Sequence, residues 1–542
     1  MFKNLISRLV ALGAVCFLAI TPFFWRGVPS GHDFEFHLFS WMEVLGQWKH
    51  GILYPRWAAL AHWGYGEARF LFYPPASWAL GAALGAILPW KLVPGAYCWT
   101  VLTLAGLSMY RLAREWLPSP DAFFAAALYA VNPYHLVIVY WRSAFAELLA
   151  AALLPLLLLW VLRLKEPGFR PVLWLSLTLA AAWLTNAPAA VMIHYSVAGL
   201  AALLAVLERS WRPLGRTALA VALGAGLASF YLIPAVYEES WVNIGEVLAP
   251  GVRPQDNFLF TSIPDVDHNR FNLMVSVLAV VEISAVAAAI WLSRAWHVKQ
   301  RSPWILLSCW GGLAALTMVS ITNLFWQHLP KLRFVQLPWR WLLCLNAALA
   351  VLLTMATRRW SSRVLACVAL LAVIVIAAYR IQPPWWDSAS DIEEMSDAIA
   401  DGTGYEGTDE YVPAGVDPYE LNKDLPQVAA SYHEAKRTEV LQWGLVEKHF
   451  VVHTDGLELL TLRLFNYPAW EATVNGKPVA TQTTDVTGLM QIPLMPGTND
   501  VRLHFGRTRD RTIGGLVSLI SLGLLIGAWI KPQPKTLVRQ QM

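Results

Sequence analysis

Charged side chains are scarce in this chain: 14% of its 542 residues are Asp, Glu, Lys or Arg, against 56% that are hydrophobic. That balance lies well outside the soluble average and matches a protein that crosses a membrane many times. Cysteine is scarcer still. Cys16, Cys98, Cys309, Cys344 and Cys367 all fall in apolar segments and none lies beyond residue 380, so no disulfide framework and no paired zinc-ligand spacing is present; they read as small buried hydrophobes. A Walker-type phosphate loop, a dinucleotide glycine fingerprint and a serine-hydrolase elbow are all missing, so neither nucleotide-driven transport nor cytosolic sugar-nucleotide chemistry is suggested. No internal repeat stands out, which leaves an inverted-repeat transporter without support. A net charge of +4 says little by itself, and no nucleic-acid partner is expected.

What is present is a series of long apolar runs and 28 tryptophans, an aromatic excess that suits interfacial belts. Runs of spanning length lie near 5–25, 94–112, 121–140, 143–162, 172–189, 190–207, 216–235, 271–293, 303–322, 340–357, 363–380 and 513–530, which predicts about twelve crossings with both termini on one side. The first run lacks a small-residue cleavage site and is expected to stay as a helix. Basic clusters (Arg111/Arg114, Arg163/Lys165/Arg170, Arg209/Arg212/Arg216, Arg294/Lys299/Arg301 and Arg358/Arg359/Arg363) alternate with acidic or neutral loops and mark the cytoplasmic side. Counting 75–90 as a crossing would put the later clusters outside, so this segment reads as re-entrant or surface-lying.

The outward side then holds loops 26–75 and 237–270 and a polar region, 381–511. Between 387 and 424 that region has twelve acidic residues against Lys423 alone, a solvated surface. From Leu457 the pattern alternates, and Asn475-Gly476 reads as a hairpin turn in a small β-rich module. The expected organisation is a helical membrane domain, 1–380, an extracytoplasmic β-rich domain, 381–511, and a last helix with a cytoplasmic tail, 512–542.

Gly31-His32-Asp33-Phe34-Glu35-Phe36-His37 places ionisable groups directly after the first apolar run, and intramembrane or membrane-edge charges are costly enough to mark function. Asp33 is the best catalytic candidate. His37, four residues on, shares its helical face while Glu35 points elsewhere; one carboxylate and one imidazole can handle a proton or contribute to a divalent-ion site completed by water or phosphate. A capped interfacial helix with solvated charges is the alternative. Arg142 and Glu147 fall in a turn after Tyr134-His135, where the arginine's planar fork suits a lipid phosphate and a mutual structural pair is the competing reading. Gln336-Leu-Pro-Trp-Arg340, with Lys331 and Arg333, reads as a basic outward rim for phosphate, with interfacial anchoring as the alternative. Glu238 is expected across the same cavity.

Taken in order, the acidic loop motif, Phe72-Tyr73-Pro74-Pro75, Asn132-Pro133-Tyr134-His135 with Arg142 and Glu147, Gln336-Leu-Pro-Trp-Arg340, Asp409-Glu410-Tyr411-Val412-Pro413 and Asn466-Tyr467-Pro-Ala-Trp470 resemble the GT-C superfamily of integral-membrane glycosyltransferases. More narrowly they resemble bacterial membrane proteins of the YfhO type and relatives labelled 6-pyruvoyl-tetrahydropterin-synthase-related, a label that implies no pterin chemistry. The resemblance implies a mainly α, GT-C-like bundle in the bacterial cytoplasmic (inner) membrane. It also implies transfer of a sugar from a polyprenyl-phosphate donor to a glycan or lipid acceptor on the outer face, with Asp33 catalytic. Supporting roles then fall to Glu35 and His37, donor-phosphate binding to Arg142 and Arg340, and cavity lining to Tyr134, His135, Glu147, Glu238 and Gln336. A divalent cation, magnesium or manganese, stays open, because the superfamily often has adjacent acidic residues and Phe34 here separates Asp33 from Glu35. The alternatives from other classes are a non-catalytic binder or transporter of lipid-linked glycans and an envelope-assembly scaffold.

Overall fold

The structure, a computed structural model, describes residues 2–296, 300–430, 433–434 and 438–530. Helices dominate up to residue 381 and return at Arg509–Ile530, with a β-rich unit between them. Among the described residues eight helices are long and apolar enough to cross a membrane, or ten if each of two sharply bent pairs counts as one span. Helices of this kind satisfy their own peptide groups, as hydrocarbon requires, and the chain is a multi-pass membrane protein. The count differs from the twelve expected. Helix Arg170–Thr185 has 16 residues and stands outside it; sixteen residues rise only about 24 Å against a hydrocarbon core of about 30 Å, whereas the apolar helix Trp360–Ile381, at 22 residues, is long enough to cross. The segment 75–90 forms an 11-residue helix, Pro75–Gly85, too short to cross, which packs on helix Phe34–Lys49.

The basic loops meet at one end of the bundle. Glu115 pairs with both Arg111 and Arg163, Lys165 lies 3.6 Å from Glu208, and Arg363 lies 2.7 Å from Asp121. Lys299 lies outside the described residues.

The β unit has two five-stranded antiparallel sheets sharing one core. One runs in the order 482–483, 489–494, 458–465, 428–430, 433–434, and the other 438–443, 447–454, 497–505, 470–474, 477–479. Strand Glu447–Thr454 turns alternate residues inward, as a half-buried strand must. Asn475 and Gly476, at φ 51° and 76°, make the tight turn between Trp470–Val474 and Lys477–Val479. The core is not purely β: Trp57, Tyr65, Leu71 and Phe72 of the first loop are buried in it with Phe450, Leu462 and Val501. The loop 26–75 is thus divided, its helix Phe34–Lys49 packed into the core shared with the helical bundle and its second half built largely into the β unit.

Candidate active site

The acidic loop is fastened by its backbone to the turn that carries Arg142. Asp33 N donates to the Arg142 carbonyl at 2.9 Å, Gly31 N to Ser143 Oγ at 3.0 Å, and Ser143 Oγ to the Pro29 carbonyl at 2.9 Å. Local rules make this turn. Asn132 caps the preceding helix by accepting from His135 N at 2.9 Å, with Pro133 at its first position. The helix then widens into a π-helical stretch, Ile138–Arg142, and Ser143 at φ 50° ends it. The loop can approach so closely because residue 31 is glycine: a Cβ there would lie 2.4 Å from the Trp141 carbonyl oxygen. From the β-unit side, Val28–Pro29 pairs with Trp386–Asp387 and Trp141 Nε1 donates to the Gln382 carbonyl at 2.6 Å.

Two guanidiniums converge on one carboxylate below this loop. Glu147, 1% exposed, accepts from Arg142, from Arg340 Nε at 3.0 Å and from the Tyr134 hydroxyl at 2.7 Å. Arg340 donates further to the Val335 carbonyl and to Gln336 Oε1, and Gln336 Nε2 reaches the Val247 carbonyl at 2.6 Å. Arg142 lies 4.8 Å from the centre of the Trp339 ring. One carboxylate cannot neutralise two buried cations, and the second negative charge is Asp33, whose Oδ2 is 3.9 Å from Arg142 Nη2. Asp33 is the member of this set that reaches solvent: its side chain is 42% exposed while that of Arg142 is 3% exposed. It stands at the cap position of helix Phe34–Lys49 without spending its carboxylate on a capping bond.

The other expected site residues fall in different places. His37 is buried among Phe36, Trp41, Tyr73 and Phe145, and burial pulls its pKa down to about 4, so it is neutral at pH 7. Glu35 lies on another side of the helix, where burial and then Asp387 and Glu406 raise its pKa. With Asp33 facing a guanidinium, Glu35 turned towards Asp387 and Glu406, and the His37 ring enclosed by aromatic side chains, the donor set does not fit a divalent ion. Among the described residues no three His, Cys, Asp or Glu side chains gather as a metal site. Arg340 is not part of an outward basic rim: it is buried and turned to Glu147, because a guanidinium at that depth needs an anion, while Lys331 pairs with Glu239 at the surface. His135 turns away, its Nδ1 on the Ala130 carbonyl at 3.1 Å and its ring against Tyr129. Glu238 belongs to another cluster, held by two bonds from Arg511 at 2.9 Å and one from Tyr467 at 2.6 Å.

Two features escaped the sequence reading. Tyr73 is a site neighbour: burial, and then the charge of Asp33, raise its pKa, with Arg340 and Glu147 also near. Its place beside Pro74-Pro75 was its only signal. The second is a buried polar cluster that joins the first loop to residues 405–408. Glu43 accepts from the Tyr405 hydroxyl at 2.7 Å and from Ala59 N at 2.5 Å; Glu67 accepts from Arg69 at 2.5 Å and from Thr408 N at 2.9 Å, and lies 3.0 Å from His62 Nε2. Burial lifts Glu43 to about 7, against the weaker pull of Tyr405 and Arg69. Burial would lift Glu67 as well, but Arg69 and His62 beside it hold it at about 2. Ser40, Glu43 and Gln47 repeat at helical spacing, which is the trace such a cluster leaves in sequence.

No protein-family model and no curated protein matches the chain. Among solved structures, the apo oligosaccharyltransferase of Archaeoglobus fulgidus aligns at 15% identity over 74% of this chain, with a TM-score of 0.43. The chain spans 56% of that enzyme's length. ArnT of Cupriavidus metallidurans, bound to undecaprenyl phosphate, aligns at 14% identity over 74% of this chain and 70% of its own, with a TM-score of 0.46.

Proposed function

We propose that the chain is a membrane glycosyltransferase of the GT-C kind. It moves a sugar from a polyprenyl-phosphate-linked donor to a glycan or lipid acceptor at the extracytoplasmic face of the bacterial cytoplasmic membrane, with both termini in the cytoplasm. The observation that carries this reading is the position of Asp33: a carboxylate open to solvent and free of capping duty, fixed 3.9 Å from a buried guanidinium. Asp33 acts as general base. It takes the proton of an acceptor hydroxyl as that oxygen attacks the anomeric carbon, and the bond from that carbon to the lipid phosphate breaks, leaving the electron pair on the phosphate. Arg142, and Arg340 behind it, stabilise the charge that develops on the leaving phosphate, because preorganised cations in a water-poor site cost little reorganisation. Buried His37 takes no proton in this scheme.

The commitment of both arginines to Glu147 favours a second reading, in which the network is a brace and the protein binds or carries lipid-linked glycans without chemistry. Purified protein offered a panel of polyprenyl-phosphate sugars separates the two. Labelled product formed by wild type and lost in Asp33→Ala supports the transferase. Intact donor lipid bound or moved with no product, alike in wild type and variant, supports the carrier.

A further inference from the structure

A cleft of about 480 Å³ opens away from Asp33, where the first loop, helix Ser229–Tyr237, the β unit and the last helix meet. Its walls include Tyr54, Arg56, Phe230, Phe505, Arg507 and Arg511. Arg511 is fully engaged: Glu238 accepts from its Nε and Nη2, and the Gly506 carbonyl from its Nη1 at 3.2 Å. Asp510 is buried close to Glu238, while Glu471 lies beside Gly506 and Glu447 3.6 Å from His504 at the cleft's rim.

Arg56 and Arg507 are different. Among the described residues neither forms an ion pair. Arg56 Nη2 donates to the Phe230 carbonyl at 3.0 Å and its guanidinium lies 4.4 Å from the Tyr54 ring centre, while its Nη1 is buried without a hydrogen-bond partner. A buried donor in that state is a standing cost that an acceptor in the cleft would remove. Burial above all holds the Arg56 pKa below its ordinary value, with Arg511 and Arg507 adding to the fall and Tyr54 and Glu238 opposing it. Arg507 is exposed, with a single long contact to the Arg511 carbonyl at 3.5 Å.

The cleft also sits at the edge of the apolar region. Phe230 follows the 76° break in the bent span Arg212–Trp241, and Gly515 lies in the first two turns of the span Arg509–Ile530. Phe230 N donates to Ser518 Oγ at 2.9 Å, which ties the two spans together at this level. Two guanidiniums outside any ion pair among the described residues suit phosphate oxygens, and Phe230 and Phe505 line the cleft next to them.

We propose that this cleft binds the phosphate of a membrane lipid, with Arg56 and Arg507 as its ligands and Phe230 and Phe505 against the lipid's apolar chain. The proposal does not depend on the role given to Asp33. The test uses the full chain in phosphatidylcholine nanodiscs doped with phosphatidic acid or with diacylglycerol, or titrated with inorganic phosphate, and counts retained ligand by native mass spectrometry. Wild type is expected to retain phosphatidic acid but not diacylglycerol. Arg507→Gln, a change at an exposed side chain, should weaken retention roughly tenfold, as loss of a charge-assisted contact does. Arg56→Gln with Arg507→Gln should abolish it, and Arg502→Gln, on the outer face of the β unit, should leave it unchanged. Equal retention by wild type and Arg507→Gln overturns the proposal. Inorganic phosphate displacing all phosphatidic acid at similar concentration overturns the lipid source and leaves a free-anion site.

Discussion

Glu147→Gln removes the one carboxylate that two buried guanidiniums share, while keeping the side chain's volume and one oxygen acceptor. Arg142 would retain Asp33 at 3.9 Å, but Arg340 would be left with only neutral acceptors, Val335 O at 2.7 Å and Gln336 Oε1 at 2.9 Å. Breaking a buried ion pair from one side costs about 3–5 kcal/mol, because the surviving charge is neither paired nor hydrated. Since Asp33 still offsets one of the two cations, the lower end of that range, about 3 kcal/mol, is expected for Gln. Reversible unfolding in mixed micelles, titrated with a denaturing detergent, measures this. Adding Arg340→Met removes the orphaned cation, so the double variant should be less destabilised than the sum of the two single changes. A loss below about 1 kcal/mol for Glu147→Gln, the range of an exposed pair, would refute the reasoning, since it would mean that water already reaches both arginines.

Gly31→Ala would force the first loop away from the Trp141 carbonyl; it should lower transfer at least tenfold, a loss of about 1.4 kcal/mol in transition-state stabilisation, and lower stability by about 1–3 kcal/mol, because the added Cβ meets backbone that cannot turn aside. The check is a single-turnover rate alongside an unfolding curve. Glu43 should make the junction between the first loop and residue 405 sensitive to pH. Its pKa is raised in the fold to about 7 from an ordinary 4.5, so its contribution to stability is complete below 4.5 and is lost as pH rises through about 7. Wild type minus Glu43→Gln stability, measured across that window, should therefore fall with rising pH; a flat difference would show that Glu43 is not held as the neutral acid.

The membrane domain was largely legible in the sequence because apolar length is a strong signal, and the β unit because Asn475-Gly476 and strand alternation are local. The span count was less so: Arg170–Thr185 ends early at Asn186, which caps the next helix, and no hydropathy reading sees that break. The site was half legible. Asp33, Arg142, Glu147 and Arg340 do come together, but their order of contact depends on a π-helical turn and on which carboxylate lies deepest, and neither is a property of spacing. Glu238 showed the limit most clearly. Its partner, Arg511, is 273 residues away, and nothing local distinguishes a carboxylate facing one cleft from a carboxylate facing another.

The most direct test of the central claim is the single-turnover rate of sugar transfer by Asp33→Asn against wild type, at saturating polyprenyl-phosphate donor. Asn keeps the shape at the cap position and removes the base, so the rate should fall by about 10²–10⁴-fold while donor binding is preserved. A rate within a few-fold of wild type would contradict the account and remove Asp33 from the chemistry.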